Sequence, residues 1–314
     1  MTPLLLAALA ALPCVYWTQG IESRPALDAA GVKRICVAPE QVDVWRAAGF
    51  SVSPIAPSDL TSRTALPVPG ITARAGLASP TRSPWVVASG WRFTRQPKTL
   101  FVYDLAPGKA ALAAAEAFAY GADAVLKIDP ADIGSVGAML GFLESVPTND
   151  LPALADFAVV DDGSPVTGEV LNLLARRNLL YQIVQAPSAR FRVNIAIGSP
   201  AYPAAEAADP SAFAQKVRRE LTDEQRTLRV YGSEVVICRL TGNGRQVRLH
   251  LLNYGGREIE GLRIRLRGDY SKGEALVAGA GRVPLQDFGV AAGATEFSVP
   301  RMGAYAVIDL TAAK

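Results

Sequence analysis

Acidic side chains at the ends of short apolar runs are the residues of this chain best placed to do chemistry. Asp104 closes FVYD, Asp129 closes VLKID, Asp161 and Asp162 close FAVVDD, and Glu22 lies shortly after VYWTQG. In parallel α/β folds, ligands bind at the C-terminal ends of strands. These five acids are therefore the candidate catalytic groups. Two carboxyl groups, one protonating a leaving oxygen and the other attacking or activating water, are the ordinary equipment for cutting a glycosidic bond. Asp161–Asp162 is the strongest pair, because like charges held close separate their pKa values. Each acid also has a plain structural role open to it. Asp129 before Pro130 suits a helix start, Asp162–Gly163 suits a turn, Asp104 can bond nearby backbone, and Glu22 can pair with Arg24.

Aromatic rings offer the matching binding surface, since a flat apolar face with a polar tip stacks on a sugar ring. Tyr16, Trp17, Trp85, Trp91 and Tyr103 are the available rings, and Arg82, Arg92 and Arg95 flank the two tryptophans of the long loop. Trp17, Trp85, Trp91, Tyr103 and Arg92 form the candidate substrate-binding set, with core packing as the competing role. The single histidine, His250, falls on the polar side of an alternating strand, so a Ser-His-Asp triad lacks a base and a His-rich zinc site is excluded. No P-loop and no GxGxxG after a strand occur, so neither a cofactor nor a metal is expected.

The bulk composition narrows the partners. The 314 residues carry 32 basic and 29 acidic groups, a formal net charge of +3. They are interspersed, which predicts no nucleic-acid partner. Arg263, Arg265 and Arg267 alternate with apolar residues and read as a solvated sheet face. The three cysteines, Cys14, Cys36 and Cys238, are odd in number and widely spaced. Buried thiols are the plain reading, and a single bridge stays open.

The elements that must position these groups fall into two patterns. From Arg229 onward Val247, Leu249 and Leu251 alternate with Arg248 and His250, and Leu262, Ile264 and Leu266 with the arginines. That period of two predicts half-buried antiparallel strands and a terminal β-sandwich over 229–314. Before it, over 14–228, short apolar strands alternate with helices. Such an α/β body builds parallel strands, as a degenerate (β/α) barrel or a doubly wound sheet. About eight strand candidates precede residue 229, and the Pro-rich stretch 57–98 reads as one long loop. Residues 1–13 carry a short apolar run, Leu4–Leu12, too short to span a bilayer. A secretory signal peptide is expected there, and with it a secreted or periplasmic protein without a transmembrane span. No Lys or Arg precedes Arg24, a departure from the usual charged leader.

With AALAAAEAFAYGADAVLKID in the body and RQVRLHLLNYGG and GAYAVIDL in the tail, the chain resembles secreted glycoside hydrolases with a (β/α)-barrel body and a C-terminal β-sandwich. The resemblance implies a carbohydrate ligand and carboxylate acid/base chemistry on a polysaccharide or oligosaccharide. No family signature around a catalytic Glu is present. The alternative is a non-catalytic carbohydrate-binding or cell-envelope scaffold protein that keeps the architecture without a working acid pair. Segment 156–198 is loosely similar to the flavodoxin-like domains appended to some β-galactosidases, without their Cys and His. Oligomeric state is left open.

Overall fold

The computed structural model describes residues 12–72, 85–271 and 273–313. Most of the expected leader and Arg82 lie outside the described residues. In chain order the α/β elements are β1 (Cys14–Tyr16), α1 (Arg24–Ala29), β2 (Arg34–Val37), α2 (Val42–Ala47), β3 (Ser51–Pro54), α3 (Pro57–Thr61), β4 (Gly70–Thr72), β5 (Trp85–Val87) and α4 (Gly90–Arg95). They continue with β6 (Phe101–Asp104), α5 (Ala110–Tyr120), β7 (Ala124–Lys127), α6 (Ile133–Ser145), β8 (Phe157–Val160), α7 (Pro165–Arg176), β9 (Tyr181–Val184), β10 (Asn194–Ile195), α8 (Ala204–Ala207) and α9 (Pro210–Gln225). The stretch 57–98 is not one loop, since α3, the antiparallel β4–β5 pair and α4 are built from it. The chain divides into two compact units, Met1–Val68 with Gln96–Asp150, and Pro69–Arg95 with Leu151–Lys314.

The first unit holds a five-stranded parallel sheet in the order β3-β2-β1-β7-β6. The chain runs outward from β1 to β3, moves to the far edge at β6, and returns beside β1. Three crossovers, β1 to β2, β2 to β3 and β6 to β7, step in the same direction, and the passage from β3 to β6 runs back across the sheet. Right-handed crossovers place α1 and α5 on one face, and α6 packs on both, while Leu60 of α3 packs on the other face. The parallel sheet with its helices is the expected α/β body, and no ladder joins β3 to β6 among the described residues. Leu66 alone bridges to Tyr103 from the intervening segment. Ala-rich α5 has the strongest helix formers and stops at Gly121, whose φ of 61° is the left-handed cap that glycine adopts freely. Side chains on the opposite sheet face, Cys14, Tyr16, Cys36, Val102 and Val125, pack with Ile55, Leu60 and Leu100. A disulfide joins Cys14 to Cys36 across β1 and β2, and Cys238 is a buried free thiol.

The second unit begins with a three-stranded parallel sheet, β10-β8-β9. Among the described residues the eight parallel strands thus pair in sheets of five and three. Val170, Leu171 and Leu174 of α7 and Phe213 and Val217 of α9 bury against Phe157 and Val159 of β8. Gly168 lets α4 approach α7 closely, because a Cβ there would sit 2.8 Å from Arg95 Nη1 and 3.1 Å from the Trp91 ring.

The sandwich follows, with β11 (Leu228–Tyr231), β12 (Val236–Gly242), β13 (Gln246–Asn253), β14 (Ile259–Arg267), β15 (Glu274–Val277), β16 (Gly281–Pro284), β17 (Gln286–Ala291), β18 (Ala294–Met302) and β19 (Tyr305–Thr311). One sheet runs β11-β14-β18-β17 and the other β12-β13-β19-β15-β16. Val247, Leu249, Leu251, Leu262, Ile264 and Leu266 meet in its core, as their alternation predicts. The polar side of β13 departs from expectation, because Arg248 and His250 are buried. Arg248 forks onto Asp309 of β19 at 2.7 and 2.6 Å, and His250 Nδ1 lies 2.6 Å from Tyr305 Oη. Burial, with Arg239 and Arg248 nearby, pushes the His250 imidazole down to about 3, so it stays neutral. Of the arginine stripe, Arg263 is exposed and ion-paired to Glu296, while Arg265 is half-buried beside the same carboxylate.

Candidate functional site

In the first unit the strand register brings chemistry to one edge. Tyr16 of β1 is level with Lys127 of β7, which is level with Asp104 of β6. Residues level in parallel strands share a face, and Lys127 Nζ donates to Asp104 Oδ2 at 2.6 Å. Their face is opposite to the one carrying α5, for Tyr103, one residue before Asp104, bonds into that helix. A phenol ring, an ammonium and a carboxylate thus line the C-terminal edge of three neighbouring strands. Both charged side chains remain open to solvent, Lys127 at 39% and Asp104 at 62%.

The other two candidate acids of this unit, Glu22 and Asp129, serve the backbone. Glu22 Oε1 accepts from Gly20 N at 3.1 Å, and Arg24 pairs with Asp28 instead of Glu22. Asp129 Oδ1 accepts from Ala131 N at 2.9 Å, capping the turn that opens α6. Two buried acids escaped the sequence reading. Glu116 accepts from Tyr103 Oη at 2.6 Å inside the helix layer. Asp132 receives Gly108 N on both oxygens, at 2.9 and 2.8 Å, and so ties down the loop before α5. Glu116 stands among alanines at helical spacing, so only its burial sets it apart.

In the second unit Asp161 and Asp162 leave β8 at the point where the chain has strands on either side, β9 and β10. Arg95 of α4 forks onto Asp161, Nε at 2.9 Å and Nη2 at 2.8 Å, and also donates to Ser164 O. That bidentate bond holds the Asp161 carboxyl below the usual carboxylate range. Asp162 Oδ1 accepts from Ser164 N at 2.9 Å in an Asx turn, and Ser164 in turn caps α7 through Thr167 N. Burial works against the Asp162 charge, but bonds from Thr167 and Ser164 outweigh it and the pKa is lowered. Mutual repulsion does not split the pair, since a guanidinium neutralises one member and both stay ionised.

The expected binding aromatics occupy varied positions. Trp17 is buried and its Nε1 donates to Ser23 Oγ at 2.8 Å. Tyr103 is buried against α5, and Trp91 is buried with the Arg92 guanidinium 4.2 Å over its ring. These three rings, expected to bind substrate, are all buried in the structure. Trp85 is half-buried and carries Arg176 at 3.8 Å over its ring. Arg92 Nη1 donates to Ala88 O within α4's entry. Among the described residues no cluster of three or more His, Cys, Asp or Glu is arranged to hold a metal, and no helix is long and apolar enough to cross a membrane.

No family model matches the sequence, and no curated protein matches it. Among solved structures the chain is similar to α-L-fucosidase isoenzyme 2 from Paenibacillus thiaminolyticus, at 11% identity and a TM-score of 0.52, over 68% of this chain and 60% of that one. A β-galactosidase from Rahnella sp. R3 aligns at 11% identity and a TM-score of 0.41, over 70% and 56% of the two chains. A rhamnosidase from Novosphingobium sp. PP1Y aligns at 9% identity and 0.44, over 67% and 30%. The structural neighbours are thus glycoside hydrolases of low sequence identity. The likeness to the fucosidase establishes a glycoside-hydrolase-like fold, and the chain spans 60% of that protein's length.

Proposed function

We propose that this chain is an exported saccharide-binding protein that uses a glycoside-hydrolase-like fold to hold its ligand without cutting it. The row Tyr16–Lys127–Asp104 carries the reading. A ring that can stack on a sugar face stands beside a donor and an acceptor that can bond its hydroxyls. The state of the acids supports binding over hydrolysis. A catalytic acid needs a raised pKa to carry its proton at neutral pH, whereas Asp161 and Asp162 are both lowered. Glu22 and Asp129 are spent on backbone N–H groups. The Cys14–Cys36 bridge supports export, because such bonds persist in oxidising compartments.

The test pairs calorimetric titration with galactosyl-, fucosyl- and rhamnosyl-oligosaccharides and a reducing-sugar assay on the same samples. Binding without release of reducing ends is expected, with affinity lowered at least tenfold by Tyr16→Ala and by Asp104→Asn. Turnover that disappears in Asp104→Asn would establish the hydrolase instead, and absence of binding to every sugar would remove both readings.

A further inference from the structure

An unusual concentration of guanidinium groups surrounds the end of α9. Arg218 of α9, Arg226 just beyond it and Arg229 of β11 all turn toward one carboxylate, Asp223, at 3.3, 3.2 and 3.6 Å. Arg177 caps the C-terminus of α7, accepts from Arg226 Nη2 on its carbonyl oxygen at 3.4 Å and donates from its own Nη2 to Ser211 Oγ of α9 at 3.1 Å. It is close enough to Arg218 that burial and that neighbouring charge together lower its pKa, with Glu234 the opposing charge. Asp156 also acts on Arg226, so four cations face three carboxylates, a local excess of one positive charge.

The donors are also undersupplied. The Nε atoms of Arg177, Arg226 and Arg229 are buried without a hydrogen-bond partner. Arg226 is only 6% exposed, so its unmet donor is a real cost to the fold. The backbone is strained at the same place. Thr222 has φ 51° and ψ 157°, a region that is essentially glycine's, and this breaks α9 just before Asp223. Such a conformation costs of order 1–3 kcal/mol and persists where something nearby over-determines it. The cluster is not sealed off, because the Arg218 and Asp223 side chains are 45% and 38% exposed.

We propose that the Arg177, Arg218, Arg226 and Arg229 cluster is a binding site for a compact oxyanion of the sulfate or phosphate class. An oxyanion meets both the positive excess and the unmet donors. Its oxygens accept from planar guanidinium forks, the geometry that makes arginine the usual partner of such groups. The ion can arrive free or as an ester on a saccharide. The site lies in the second unit and does not depend on the saccharide-binding reading of the first.

Inorganic sulfate titrated against chloride at fixed ionic strength, followed by thermal unfolding and calorimetry of the full chain, tests the proposal. Saturable binding is expected in the wild type. Arg218→Gln, at an exposed side chain, is expected to weaken it at least tenfold. Asp223→Asn, which removes the competing carboxylate, is expected to tighten it. Opposite effects from the two variants separate a site from general salt stabilisation, which moves all three proteins alike. A parallel titration with glucose 6-sulfate against glucose distinguishes an ester ligand from a free ion. Equal sulfate response in wild type and Arg218→Gln, or no saturable binding, overturns the proposal.

Discussion

Arg95 and Asp161 form the ion pair on which the β8 exit rests, with side chains only 13% and 11% exposed. Removing one partner of a buried pair leaves the other charge uncompensated, at a cost of roughly 3 kcal/mol or more. Arg95→Ala is therefore expected to lower the stability of the full chain by about that amount at pH 7, read by urea unfolding. The pH dependence has a definite sign. The Asp161 pKa is depressed in the folded state by Arg95, so its contribution is complete above the ordinary carboxylate value of about 4. It disappears as the pH falls through the folded value. The gap between wild type and Arg95→Ala should narrow steadily below pH 4, and a constant gap would remove the pair from the account. At this scale the sequence was a partial guide. It located Asp161 and Asp162 at a strand end, but not Arg95, 66 residues away, which only the packing of α4 on α7 delivers. Lys127 was passed over for a similar reason, because nothing in AVLK announces that register will set it between Tyr16 and Asp104.

Elements were more legible than residues. The expected alternation of short apolar strands with helices before residue 229 matches the elements β1 to α9. The partition of the strands between sheets was not legible, because apolar runs of four residues state no partner. That information lies in helix packing, and two glycines of α6 make it testable. A Cβ on Gly137 would fall 2.0 Å from the Ala30 carbonyl oxygen at the end of α1, whereas one on Gly141 would meet nothing within 4 Å. Gly137→Ala must push α6 off α1 and is expected to destabilise by about 1–3 kcal/mol. Gly141→Ala, on an exposed helical face, is expected to stabilise by up to about 1 kcal/mol. Equal effects in thermal melts would mean that α6 does not pack against α1, and the placing of α1, α5 and α6 on one face of the sheet would lose its support. The sandwich shows the reverse limit of pattern reading. Alternation identified the core of β13, yet its charged side is buried too, with Arg248 satisfied by Asp309 and His250 kept neutral beside Tyr305.

For the whole molecule the cysteines connect fold to compartment. Cys14 and Cys36 lie on neighbouring strands with Cα atoms 5.8 Å apart, and Cys238 is enclosed in the sandwich. Burial raises the Cys238 thiol far above its usual range, so the folded protein should present almost no reactive thiolate. Protein recovered from an oxidising compartment is expected to show no thiol by Ellman titration when folded, one in denaturant, and three in denaturant after reduction. The bridge spans 22 residues, and closing a loop of that length in the unfolded chain contributes about 3 kcal/mol. A chain made in a reducing cytosol, or carrying both Cys14→Ser and Cys36→Ser, should therefore melt several degrees lower, while the serine variant gives one thiol before and after reduction. Three thiols in unreduced protein from the oxidising compartment would break the chain of reasoning from β1–β2 pairing to export. The saccharide-binding row on the same sheet would then have to be judged without it.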